Sequence, residues 1–265
     1  MPRRDAYDPP GPAGTDGGHM VDQRNDPRRV EGRAVAELAQ LHRAPIFYGR
    51  GAPRGDHRLV VVVPGLFGND LYLGPLRGWL RRIGYTPVRS SLAINAGCPD
   101  RLRGDVERAV DKQLRQTPGP VALIGHSRGG MLCWALASRL QERASHLALL
   151  GSPAPAVVVM MREQGTMQPA GIAHSAVATA GARATKLFDP DCNVPACGCD
   201  YTEDLARPLH IGTRLLSIYS RDDPIVQPTA CRLWSGENVE VGGSHGGLAH
   251  NRDVYPHLAR FLATR

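Results

Sequence analysis

Runs of consecutive apolar residues alternate along this chain with stretches whose apolar positions recur every three or four residues. Leu59 to Val63, "LVVVV", is an unbroken apolar run rich in β-branched side chains, and such a run predicts a strand covered on both faces. "PVALIG" ending at Gly125, "HLALLGSP" from His146 and "TRLLSIYS" from Thr213 predict three more. The shorter "TPVRSS" from Thr86 and "NVEVGG" from Asn238 predict flanking strands, and "IFYGR" from Ile46 predicts another.

Helical spacing fills the intervals. "GRAVAELAQLHRAP" predicts a first helix, and Leu76, Trp79, Leu80 and Ile83 define the buried face of a second, stopped by Gly84. "CPDRLRGDVERAVDKQLRQT" predicts a third with Pro99 near its start, a fourth runs from about Arg128 to Glu142, and "RDVYPHLARFLATR" closes the chain. Strand and helix in alternation predict an α/β fold with a mostly parallel central sheet and helices on both faces.

Two segments break the rhythm. Residues 1–32 are rich in Pro, Gly and charge, cannot bury enough surface to order themselves, and are expected to be a disordered tail. Residues 153–208 are too long for a plain connection. They carry "AVVVMM", an Ala-rich stretch and a Cys cluster, and are read as a cap or lid inserted into a single domain spanning 33–265, with extra core helices as the alternative.

The formal net charge of +7 raises the question of a nucleic-acid partner, but the basic residues are scattered arginines with lysine only at Lys112 and Lys186. Only 5% of residues are aromatic, so stacking platforms along a basic groove are not evident and no nucleic-acid partner is expected. Weak contact with an anionic lipid surface stays open on charge alone. No stretch reaches 18 consecutive apolar residues, so no membrane span is expected, and the N-terminus lacks the apolar core of a secretory signal, which points to the cytoplasm. Among six cysteines, Cys192, Cys197 and Cys199 crowd together without the paired C-x-x-C spacing of a zinc ribbon. No metal and no cofactor is expected. A disulfide from Cys199 or Cys197 to Cys231 is the candidate tether between insertion and core, against which a reducing compartment works.

The candidate chemistry lies in "VALIGHSRGG". Gly125 and Gly129 stand two residues on either side of Ser127, between a predicted strand and a predicted helix. Glycines there remove the Cβ atoms that would collide in a sharp strand-to-helix turn, which holds one side chain outward in a strained backbone. A serine hydroxyl is a poor nucleophile at neutral pH, so Ser127 needs a base, and the base needs an orienting acid. Asp222 and Asp223 follow "LLSIYS" at a strand end, and His245 sits in a Gly-rich loop before the last helix. His250 is the other candidate base, with surface exposure or helix capping beside Asn251 as its plainer role. His126, next to the serine, is read as packing or pocket lining, and the Arg128 side chain as solvated or bound to an anionic substrate group.

In order along the chain, "PGLFG", "GHSRGG", "YSRDDPIV" and "SHGGL" resemble the α/β-hydrolase superfamily in its lipase and esterase branch, over roughly residues 45–265. The resemblance implies Ser127 as nucleophile, Asp223 rather than Asp222 as acid, and His245 as base. It implies an oxyanion hole from the backbone N–H groups of Leu66 and Arg128, with Phe67 as the alternative to Leu66. The implied activity is hydrolysis of carboxylic esters through an acyl-enzyme, with apolar acyl chains suggested by the apolar insertion. An acyltransferase with the same triad and a non-catalytic binding protein on the same fold are the alternatives.

Overall fold

The computed structural model describes residues 32–155, 183–192 and 199–264. The expected tail and most of the expected cap fall outside these residues.

Among the described residues six strands form one sheet: β1 (Leu59–Val63), β2 (Thr86–Arg89), β3 (Val121–His126), β4 (Ala144–Leu150), β5 (Arg214–Ser220) and β6 (Glu237–Val241). Their order is β2-β1-β3-β4-β5-β6 and every pairing is parallel. The chain starts at β1, steps outward to β2, then crosses back over β1 to β3. The reversal between β1 and β3 opens a crevice at their carboxyl ends, which is where open α/β sheets place their sites.

The apolar runs have the burial that was expected of them, because each strand feeds two cores at once. Val60 and Val62 of β1, Ala122 and Ile124 of β3, and Leu216 and Ile218 of β5 face one layer. The alternate residues Leu59, Val61, Val63, Val121 and Leu123 face the other. A side-chain period of two therefore makes most positions of the central strands apolar, and the buried Ser217 of β5 is satisfied by donating to the Cys231 carbonyl at 2.7 Å. On the first face lie α1 (Ala34–Arg43), α2 (Gly74–Arg82) and the closing helix, which contributes Tyr255, Leu258 and Leu262. On the second lie α3 (Pro99–Leu114) and α4 (Arg128–Leu140). A short helix, α5 (Tyr201–Ala206), packs on the same face, and α6 (Pro228–Cys231) and α7 (Val254–Leu262) follow it in the chain.

"IFYGR" is not a strand. Residues Pro45–Tyr48 form a 3₁₀ turn, opened by Pro45, whose ring fixes φ, and closed by Gly49 at φ +81°. Its backbone is committed to packing rather than to a sheet. Trp79 Nε1 donates to the Ile46 carbonyl at 2.9 Å and Arg82 Nε donates to that of Phe47 at 2.9 Å.

The described end of the long insertion is tied down by charge. Asp189 accepts from the Cys98 backbone N–H at 2.5 Å, at the start of α3, and forms an ion pair with Arg101. Asp204 of α5 is fully buried among Arg103, Arg139 and Arg207, which come from α3, α4 and the end of α5. Among the described residues no helix is long and apolar enough to cross a membrane.

Candidate active site

Ser127 occupies the one-residue turn between β3 and α4, with φ 51° and ψ −125°. That conformation is unfavourable for a residue with a side chain and persists only where the surroundings enforce it. The enforcement is steric. A Cβ on Gly125 would lie 2.3 Å from the Gly130 Cα, and one on Gly129 would lie 2.4 Å from the carbonyl oxygens of Val63 and Pro64. Strand, turn and helix thus pack backbone to backbone, and the serine projects at the carboxyl end of the sheet.

The acid and base candidates arrive from two further strand ends. His245 Nε2 lies 2.9 Å from Ser127 Oγ, and His245 Nδ1 lies 2.6 Å from Asp223 Oδ2. The other Asp223 oxygen accepts from the backbone N–H groups of Ile225 at 2.8 Å and Val226 at 2.9 Å. The carboxylate is therefore fixed in one orientation by the turn that follows it. Both His245 and Asp223 are buried.

The neighbouring candidates separate cleanly. Asp222 turns away from His245 and accepts from the Gly243 N–H at 3.0 Å, bracing the base loop. His250 is buried rather than on the surface, because its ring stacks edge-on against Tyr72 at 4.7 Å. Burial lowers its pKa to about 4. Asn251 is not the cap of the closing helix, whose N-cap is Asp253; its side chain accepts the Asp253 N–H at 2.9 Å in the turn before it.

His126 is buried and packs against the His245 ring at 5.0 Å. Its Nε2 lies 2.8 Å from the His245 carbonyl oxygen, so the nitrogen carries the proton and donates. Burial, reinforced by the adjacent His245 ring, pushes its pKa down to about 3 and keeps it neutral. The Arg128 side chain is partly buried and committed to backbone carbonyls. Its guanidinium donates to the carbonyls of Asn95 at 3.3 Å and Gly97 at 2.5 Å, and burial pulls its pKa below the ordinary value.

Those carbonyls belong to a loop with no sequence signature. Asn95 is fully buried, and its Nδ2 donates to the Pro64 carbonyl at 2.7 Å. Its carbonyl accepts the Phe67 N–H at 3.0 Å, which removes Phe67 as a free donor. Leu66 N–H and Arg128 N–H make no hydrogen bond to a described residue. Gly65, next to Leu66, packs so closely that a Cβ there would sit 3.1 Å from the Ser127 Cβ.

Cys231 is a buried free thiol, so the expected tether from Cys199 or Cys197 does not form. It lies in a small cluster with Tyr219 and Val226, and burial raises its pKa. Cys98 and Cys133 are also buried and free. Among the described residues no group of three His, Cys, Asp or Glu is arranged to hold a metal ion.

Comparison with known proteins bears on the sequence and on the fold. The sequence over residues 84–174 matches the family model described as "alpha/beta hydrolase fold". The chain has an α/β-hydrolase fold. A soluble variant of monoglyceride lipase from Saccharomyces cerevisiae, in complex with a substrate analogue, superposes at a TM-score of 0.50 with 15% identity over 80% of this chain and 89% of that one. A thioesterase of prodiginine biosynthesis from Streptomyces coelicolor gives 0.48 with 19% identity, over 80% and 91%. A monoacylglycerol lipase from Paleococcus ferrophilus gives 0.49 with 14% identity, over 80% and 96%. No curated protein matches the sequence. Within this α/β-hydrolase fold, Glu37, Asn95, His126 and Asp222 all hold the loops around Ser127 and His245. Sequence reasoning missed all four in that role, weighing Asp222 only as the alternative acid, because a brace is identified by what it touches, and nothing in "AVAEL" or "LAINAG" shows that.

Proposed function

We propose that the protein is a serine hydrolase of carboxylic esters. The observation that carries this reading is the continuous line of hydrogen bonds from Asp223 through His245 to Ser127. With Nδ1 protonated and donating to Asp223, His245 presents an unprotonated Nε2 to the serine hydroxyl. As Ser127 Oγ attacks the ester carbonyl, Nε2 takes its proton and then delivers it to the leaving alcohol. Water, deprotonated by the same nitrogen, resolves the acyl-enzyme. Asp223 stabilises the imidazolium formed in each half-reaction.

The negative charge that develops on the carbonyl oxygen needs fixed donors, and the N–H groups of Leu66 and Arg128 are assigned to it. What favours Leu66 over Phe67 is that the Phe67 N–H is already committed to Asn95. An apolar acyl chain is favoured by Phe67 and Ile94, exposed side chains on the two loops that flank the turn, and by Phe188 beside Gly97. The insertion over 153–208 is assigned as the cap above this mouth.

Hydrolysis of p-nitrophenyl esters from acetate to palmitate, by the wild type and Ser127→Ala in parallel, tests the reading. Activity that disappears in the variant, with an optimum at medium or long chains, is the expected result. Turnover that survives in Ser127→Ala would overturn the nucleophile assignment. Dominant ester exchange with added alcohols would move the reaction to acyl transfer.

A further inference from the structure

Helix α1 precedes the whole sheet, yet one of its side chains reaches the loop that carries the candidate base. Glu37 is buried at 8% exposure. Its Oε1 accepts the backbone N–H of Ser244 at 2.7 Å, and its Oε2 accepts the Ser244 hydroxyl at 2.6 Å. The Ser244 Oγ in turn accepts the Gly247 N–H at 3.0 Å. Among the described residues no basic side chain pairs with this carboxylate. A buried anion without a cation is costly unless its oxygens are satisfied by good donors, and here Ser244 supplies both.

The loop is shaped to the carboxylate. A Cβ on Gly247 would lie 1.4 Å from Glu37 Oε2, and one on Gly243 would lie 2.7 Å from Oε1. Gly243 and Gly247, two of the four glycines in this loop, therefore leave room for Glu37. Ser244 is the residue immediately before His245, so the contact fixes the peptide from which the imidazole springs.

We propose that Glu37 is a positioning residue for His245, setting the imidazole between Asp223 and Ser127 through Ser244; the inference rests on the hydrolase reading given above. The imidazole must satisfy two partners at once, at 2.6 Å and 2.9 Å, on opposite nitrogens. A displacement of about 1 Å in such a group can cost on the order of 100-fold in rate.

The test uses the full chain with Glu37→Ala, Glu37→Gln and Ser244→Ala. Two readouts are taken: kcat and KM on the preferred p-nitrophenyl ester, and the downfield proton resonance of the His245 Nδ1–H shared with Asp223. Glu37→Ala is expected to lower kcat by about 10–100-fold with little change in KM, and to broaden or shift the resonance. Glu37→Gln is expected to fall between, because its amide oxygen can still accept from the Ser244 N–H while its NH₂ replaces the acceptor that faced the hydroxyl. Folded variants with wild-type kcat and an unmoved resonance overturn the proposal. Should Glu37→Ala not fold, the Gln variant carries the same comparison, and an unchanged kcat and resonance there overturn it equally. A wild type that does not react at Ser127 with a fluorophosphonate would sink the hydrolase reading separately, and the resonance would still decide whether Glu37 positions His245.

Discussion

The ring of His126 and the backbone of His245 are joined by a hydrogen bond of 2.8 Å, although the two residues lie on opposite sides of the serine turn. One histidine thus braces the loop of another. His126→Phe keeps a ring but removes the donor, leaving the His245 carbonyl with only the longer bond from the Leu248 N–H at 3.3 Å. The expected cost is about 0.5–1.5 kcal/mol of stability. Activity is expected to fall with it, because the unbraced loop carries the base. Urea denaturation together with kcat measures both, and a variant equal to the wild type in the two would remove the brace from the account.

The same histidine makes stability depend on pH. Its pKa in the folded protein is about 3, and those of His146 and His250 are about 4, against an ordinary value of 6.5. Below pH 6.5 the unfolded chain binds protons that the folded chain refuses, so stability that is complete above 6.5 declines as the pH falls toward 3 to 4. A fully neutral buried histidine contributes a slope approaching 1.4 kcal/mol per pH unit, roughly, in that window. Melting from pH 7.5 to 4.5 should show a steeper loss for the wild type than for His126→Phe. Parallel curves would mean that His126 titrates normally.

Two adjacent aspartates should give opposite phenotypes. Asp223→Asn keeps the turn at Ile225 and Val226 but changes the tautomer offered to Ser127, and a loss on the order of 10⁴ in kcat is expected with a nearly normal melt. Asp222→Ala loses only the bond to the Gly243 N–H, so the melt should drop while most of the activity stays. A reversed pattern would exchange the two assignments.

Arg128 should act through its backbone loop and not through substrate charge. Its guanidinium holds the carbonyls of Asn95 and Gly97, and Asn95 in turn holds Pro64, Phe67 and Gly68 around the Leu66 donor. Arg128→Met is expected to reduce kcat about 10-fold or more by loosening that donor. The reduction should be equal for a neutral and an anionic p-nitrophenyl ester, such as butyrate and hemisuccinate. A loss confined to the anionic ester would restore the anion-binding role.

Much of the fold was legible because a strand buried on both faces has no choice but to be continuously apolar. "LVVVV", "VALIG" and "LALLG" announce themselves, and the intervening helices follow from spacing at three and four. "IFYGR" misled because its three aromatic and β-branched residues look alike in a strand and in a turn, and the deciding features were Pro45 and the left-handed Gly49. The exposure expected for His250 failed for a similar reason: Tyr72 covers it from a loop that is distant in sequence.

Sequence alone determined the alternation of strand and helix, and the glycine-flanked turn at Ser127, since these depend on residues next to one another along the chain. Tertiary structure decided which carboxylate faces His245, that His126 and Glu37 hold its loop, and that Arg128 serves Asn95. Each of those is a hydrogen bond across at least 22 residues of chain or between separate strand ends, apart from the choice between Asp222 and Asp223, which turns on one residue's backbone orientation. A local pattern carries its own physical cause. A bond between distant loops has its cause in the register of the sheet that brings them together.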